Sequence, residues 1–141
     1  MEGAAEMPVG SPAESPNRSN LDPERALYHA DSLTEEQLDS LPFGMIQLDR
    51  TGRVLRFNRT ESELAHYPKD EAIGRNFFEE VAPCTKVKEF YGRFLEGVAK
   101  RDLLVTFPYE FRFRDGRRKD VVITMFYSPS TESVWVLVQR P

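Results

Sequence analysis

Val105-Thr106-Phe107-Pro108-Tyr109-Glu110-Phe111-Arg112-Phe113-Arg114 is the stretch that decides the fold class. Val105, Phe107, Tyr109, Phe111 and Phe113 alternate strictly with polar or non-pairing residues, so one face is apolar and the other faces water. That period of two describes a long, half-buried strand. Pro108 has no N–H for a ladder, which places the strand at a sheet edge or at a bulge. Asp115-Gly116 is a hairpin turn signal. Val121, Ile123, Met125 and Tyr127 then alternate down a second strand, and after the loop 128–133 a third runs over 134–139.

Upstream of Asp102 the period is 3.6. Val87, Phe90, Tyr91, Phe94, Leu95 and Val98 form one apolar stripe, with Lys86, Lys88, Glu89, Arg93 and Glu96 outside it, so a helix is expected from Thr85 onward. Such a stripe belongs to a core rather than to a cofactor box. Further back, strands at 45–49 and 53–58 flank the turn Asp49-Arg50-Thr51-Gly52. Asn58-Arg59-Thr60-Glu61 has the pattern of a capping box and opens a short helix through His66. Pro68 starts another that Gly74 stops, and residues 76–81 form a compact turn. Two strands, several short helices, one long helix and three strands imply an α+β domain. Its sheet is five-stranded and antiparallel, with helices gathered on one face. Short helices between that sheet and a long connector leave room for a pocket.

The N-terminal part divides in two. Residues 1–20 are Gly, Ala, Ser, Pro, Asn and Glu with little to bury, which is expected to be a disordered tail. Residues 21–42 read as an N-terminal helical cap, with Asp22-Pro23 opening one helix and Thr34-Glu35-Glu36-Gln37 a second. Leu27, Leu33, Leu38 and Leu41 are placed to cover a face of the folded core, 43–141. A chain of 141 residues with ten Phe supports one packed domain. Its net charge of −4 argues against nucleic acid or an anionic membrane as partner. No apolar run approaches the roughly 20 residues that span a bilayer. A single cysteine allows no internal disulfide and makes the reducing cytoplasm the expected compartment. One Cys and two scattered His, His29 and His66, give no zinc spacing and no Cys/His nucleophile.

That cysteine lies in Val81-Ala82-Pro83-Cys84-Thr85. One reading makes Cys84 a small buried hydrophobe. In the other, Pro83 fixes the backbone before it, Thr85 caps the helix that follows, and the thiol sits at a positive helix N-terminus. Cys84 would then be a reactive thiolate or an attachment point for an acyl group. From its place after Asn58, Glu61 reads as a capping-box carboxylate.

Leu41-Pro42-Phe43-Gly44-Met45-Ile46-Gln47-Leu48-Asp49, Ile73-Gly74-Arg75-Asn76-Phe77-Phe78, Val81-Ala82-Pro83-Cys84-Thr85, Glu89-Phe90-Tyr91-Gly92 and Val134-Trp135-Val136 resemble the photoactive yellow protein family. The resemblance runs from about Leu33 to the C-terminus, with one small insertion near Asp115-Gly116. A general PAS domain shares the architecture but not the Val-Ala-Pro-Cys-Thr segment. The resemblance implies a PAS-fold blue-light photoreceptor and not an enzyme. It implies that Cys84 carries p-coumaric acid (4-hydroxycinnamic acid) as a thioester, whose double bond light isomerises from trans to cis. Glu61 would hydrogen-bond the buried phenolate and later protonate it, and the new buried carboxylate would partly unfold the cap. Output would pass to an unknown downstream signalling protein from a monomer or weak homodimer. The alternative class is a PAS ligand-binding or interaction module without photochemistry.

Several positions depart from the family pattern. Phe57 stands where the family has a Tyr that donates to the phenolate, Ala65 where a Thr supports that Tyr, and Tyr67 where an Arg covers the ring. The lid Met falls at Asp115 or Gly116. The aromatic wall is kept at Phe77, Phe111 and Phe113, with Ile46 below and Pro83 and Thr85 flanking the cysteine. One lost hydrogen bond to a charged group is worth roughly 1.5–3 kcal/mol, which raises the phenol pKa by about one to two. The expectation is a pigment of mixed protonation near neutral pH, unless Tyr67 or a water replaces the missing donor.

Overall fold

The computed structural model describes residues 22–141, so the tail expected at 1–20 lies outside the described residues. Five strands form one antiparallel sheet: β1 (Gly44–Leu48), β2 (Val54–Phe57), β3 (Leu104–Arg112), β4 (Arg118–Ser128) and β5 (Ser133–Gln139). Their spatial order is β2-β1-β5-β4-β3. β3 is therefore an edge, one of the two places Pro108 allowed, and the register around Pro108, which stands opposite Val122, has no bulge. The register of β1 against β2 slips between Gln47 and Leu48.

β1 and β5 sit at the middle of the sheet and are buried along almost their whole length. They alternate between two cores. Ile46, Val134, Val136 and Val138 face a large cluster that includes Phe57, Phe77, Phe78, Phe90, Phe94, Phe107 and Phe111. Met45, Trp135 and Leu137 face a second cluster with Ala26, Ala30, Leu33, Leu38, Leu41 and Phe43. Burial on both faces accounts for the continuous apolar run 134–138 of β5, and in β1 the buried Gln47 is satisfied by donating to Ser133 Oγ at 2.9 Å. One face carries α3 (Arg59–Ala65), α4 (Lys69–Ala72) and α5 (Arg93–Lys100); the other carries α1 (Pro23–His29) and α2 (Glu35–Asp39).

The N-terminal elements form as their signals indicate. Asp22 accepts from Arg25 N–H at 2.8 Å with Pro23 at the first helical position. Thr34 and Gln37 complete a reciprocal capping box. Ala26 and Ala30, fully buried, make the contact with the sheet, while Leu27 packs only partly against it. Asp31 fastens this layer: its carboxylate accepts from Trp135 Nε1 at 2.8 Å, from Thr131 and Ser130 at 3.2 Å, and from Ser128. Lys69 on α4 adds ion pairs to Glu35 and Asp39, both at 2.8 Å.

The long helix differs from its expected form. Thr85 does not cap it. Residues Pro83–Thr85 are a separate 3-10 turn, Val87 is extended, and Lys88–Gly92 is a π turn that leads into α5. A π turn holds more residues than an α turn, so the 3.6 spacing loses its phase. Phe90 and Phe94 are buried, while Val87 and Leu95 are exposed. Gly97 instead lies against Leu103, where an added Cβ would come within 2.6 Å of the Leu103 Cβ.

Candidate functional site

Cys84 sits in a pinned segment. Thr85 is fully buried and its Oγ1 donates to Ala82 O at 2.6 Å; Ala82 N–H donates to Phe77 O at 2.8 Å. From the edge strand β3, the Tyr109 hydroxyl donates to Cys84 O at 2.5 Å. Contrary to expectation, Cys84 does not face a helix N-terminus. The three-residue turn runs into extended Val87, and α5 starts only at Arg93, so no helix dipole points at the sulfur. The cysteine is free, partly buried and packed against the main core.

Beside it opens a cavity of about 210 Å³. One wall is Phe77, Ala82, Pro83 and Cys84; another is Phe111 and Phe113 of β3 and its extension; a third is Glu61, Ala65 and Tyr67 of α3 and the residues after it. Eight of the expected residues therefore share one cavity. Ile46, Phe57 and Thr85 do not line it. Ile46 and Phe57 face each other across β1 and β2 and are fully buried in the core that supports the cavity. The Phe57 ring meets Tyr67 edge-on at 6.5 Å.

Glu61 resolves between its two readings by geometry. Asn58 is the cap: its Oδ1 accepts from Glu61 N–H and from Met45 N–H, both at 3.0 Å. Its Nδ2 donates to Leu38 O at 2.8 Å and to Phe43 O at 3.0 Å, so one side chain ties α3, β1 and α2 together. The reciprocal half of a capping box is missing. The Glu61 carboxyl turns inward instead, is 3% exposed, and its Oε1 has no hydrogen-bond partner among the described residues. Burial pushes its pKa up from 4.5 to about 8, so it is protonated at neutral pH. Gly44 makes the room: a Cβ there would overlap the Glu61 carboxyl.

The cavity also contains residues that sequence reasoning passed over: His66, Arg112, Arg114 and Arg117. His66 ends α3 in the left-handed conformation with φ 53°. Arg117 follows the Asp115-Gly116 turn and lies with its guanidinium carbon 4.3 Å from the Phe113 ring centre. The alternation of β3 gave no sign of it, because the turn resets the phase. Tyr109 was legible as a core-facing position, but nothing in the pattern signalled its bond to Cys84.

Among the described residues no group of three or more His, Cys, Asp or Glu is placed to hold a metal ion, and no helix is long and apolar enough to cross a membrane.

Comparison with known proteins identifies the family. Residues 32–141 match the family described as PAS fold. The photoactive yellow protein of Rhodothalassium salexigens is 43% identical over 106 residues, covering 75% of this chain and 84% of that protein. That of Cereibacter sphaeroides is 38% identical over 134 residues, covering 95% and 97%. Among solved structures, the photoactive yellow protein domain of the sensor histidine kinase Ppr from Rhodospirillum centenum superposes with a TM-score of 0.76 at 38% identity. That match covers 80% of this chain and 98% of that one. A domain of a sensory box sensor histidine kinase/response regulator from Geobacter sulfurreducens, 13% identical at a TM-score of 0.63, shares the fold. These relatives support a photoreceptor role, and the chain belongs to the photoactive yellow protein family within the PAS fold.

Proposed function

We propose that the protein is a blue-light photoreceptor whose pigment is p-coumaric acid held as a thioester on Cys84. One observation carries the reading: Cys84 lies on the same aromatic-walled cavity as a buried, protonated Glu61 whose Oε1 has no partner among the described residues. The residues fit the group. A cavity of about 150 Å³ admits a benzene ring, and this one is about 210 Å³, with Phe77, Phe111 and Phe113 in its walls. A phenolate buried there needs a donor, and a carboxyl protonated up to about pH 8 supplies one. When bound, p-coumaric acid supplies light absorption and trans-to-cis isomerisation of its double bond.

The chain's own residues do the rest. Cys84 Sγ loses its proton, bonds the acyl carbon of an activated ester, and the activating group leaves. Tyr109 and Thr85 hold the cysteine turn still. Glu61 holds its proton in the dark and releases it to the phenolic oxygen after illumination. The resulting carboxylate is buried without a partner, a state that is strongly unfavourable. Asn58 joins the Glu61 N–H to Leu38 O on α2, so relaxation around Glu61 loosens the layer formed by α1 and α2. The exposed layer is the signal read by a partner protein, without catalytic turnover. Phe57 offers no hydroxyl, so the pigment's pKa lies near neutrality, with a shorter-wavelength band for its protonated form.

The test is direct. Incubating the apo-protein with an activated p-coumaric ester adds one coumaroyl mass to Cys84 and yields a visible band that blue light bleaches and darkness restores. No adduct on Cys84, or a pigment that never bleaches, overturns this reading and leaves a PAS ligand-binding module.

A further inference from the structure

Two buried polar side-chain atoms on the walls of the cavity lack a partner among the described residues. One is Glu61 Oε1 and the other is Arg117 Nη2. The rest of the Arg117 side chain is well held. Its Nε donates to Asp115 Oδ2 at 2.8 Å, its backbone N–H donates to Asp115 Oδ1 at 3.0 Å, and its guanidinium stacks over Phe113. A guanidinium fixed on two sides and short of an acceptor on a third is prepared for an anion.

We propose, resting on the photoreceptor reading above, that Arg117 is a positioning and colour-determining residue: it supplies the positive charge that favours the anionic form of the bound phenol in a site where Phe57 has no hydroxyl to give. The charged and titratable groups facing the cavity are Glu61, His66, Tyr67, Cys84, Arg112, Arg114, Asp115 and Arg117. Asp115 is the only carboxylate among them paired with Arg117, and the pairing holds its carboxyl below its ordinary value. Asp115 thus sets how much of the Arg117 charge reaches the cavity. Arg50 is half-exposed, pairs with Glu132 at 3.8 Å and does not line the cavity, so it serves as the control cation.

An opposite charge within roughly 4–6 Å moves a pKa by about 1–3, and partial neutralisation by Asp115 places the effect at the lower end. The experiment is a dark pH titration of the reconstituted pigment, following the ratio of the visible band to its shorter-wavelength partner. Arg117→Met is expected to raise the pigment pKa by about one, a tenfold change in the band ratio at fixed pH, and Arg117→Lys to recover most of it. Asp115→Asn is expected to move it the other way, and Arg50→Met to leave it in place. The Asp115 variant, on an exposed turn, keeps the test open should Arg117→Met fold poorly. If wild type and variants all form a bleachable pigment but the Arg117 and Asp115 titrations superimpose on wild type, the Arg117 role is overturned while the photoreceptor reading stands. If wild type forms no pigment, both fall.

Discussion

Replacing Glu61 by Gln is expected to change how the apo-protein's stability depends on pH. The folded-state pKa of Glu61 is raised from 4.5 to about 8 by burial. Below pH 4.5 both the folded and unfolded chains hold this proton. Between 4.5 and 8 only the folded chain does, so each pH unit removes about 1.36 kcal/mol of stability. Above about 8 the loss is complete and amounts to about 5 kcal/mol, a large part of the 5–15 kcal/mol that typically holds a domain together. Gln is nearly the same shape and carries no charge at any pH. Its amide brings unsatisfied hydrogen-bonding groups worth roughly 1–3 kcal/mol, but that offset is constant with pH. Asp31 and Asp49, whose carboxyls lie below their ordinary values, titrate alike in both proteins and cancel in the difference. Urea unfolding of the apo-proteins from pH 4.5 to 9, without the pigment's own titration, should show Glu61→Gln gaining steadily on wild type as pH rises. Parallel curves, separated by a constant, would refute the claim that Glu61 is buried as a neutral acid.

Three other substitutions follow from the packing. Asn58→Ala removes a helix cap and two donors to backbone carbonyls of α2 and the 41–43 connection, so chemical denaturation should report a loss of about 2–4 kcal/mol, with residues 35–43 exchanging amide hydrogens faster. Gly97→Ala drives a methyl into Leu103 and should cost about 1–3 kcal/mol by the same measurement, although Ala is the better helix former. Asp31→Ala leaves the buried Trp135 Nε1 without its acceptor; a loss of about 1–3 kcal/mol and a change in tryptophan fluorescence are expected, and an unchanged emission spectrum would count against the latch. In wild type the same latch weakens on acidification. Burial would raise the Asp31 carboxyl, but hydrogen bonds from Ser128, Trp135, Ser130 and Thr131 outweigh it, so its contribution is full above 3.8 and fades as pH falls below that value.

Much of the fold was written in periodicity. The strict alternation of 105–113 marked a strand, Pro108 restricted it to an edge or a bulge, and the pairing chooses the edge. The apolar run 134–138 is buried on both faces, the second of which is covered by the α1–α2 layer. The helix after Cys84 misled because its apolar stripe is real but its geometry is not α-helical throughout. A π turn at 88–92 shifts the phase, and Gly97, invisible to a hydrophobicity pattern, takes the buried position that Val87 and Leu95 do not. Local composition reports which side chains seek a core, not which turn delivers them.

The site was legible where it depended on residue identity and illegible where it depended on orientation. Glu61 shows the difference. As a third residue after Asn58 it satisfies a capping-box pattern, and a sequence contains nothing that says whether its carboxyl turns back to the cap or into the core. Two remote features decide it. The Asn58 backbone N–H, from which a capping-box carboxylate would accept, already donates to Met45 O at 3.1 Å, while the Asn58 side chain serves three elements at once. Gly44, one strand away, leaves open the volume that the carboxyl fills. Gly44→Ala is therefore expected to act as a distant Glu61 mutation: its methyl would evict the carboxyl from the core toward water. In the reconstituted protein the pigment would lose its remaining neutral donor without any change at Glu61 itself, and its pKa should rise by about one to two. A Gly44→Ala pigment that titrates like wild type would mean that the carboxyl and the added methyl coexist, and that the space at Gly44 is not what holds Glu61 inside.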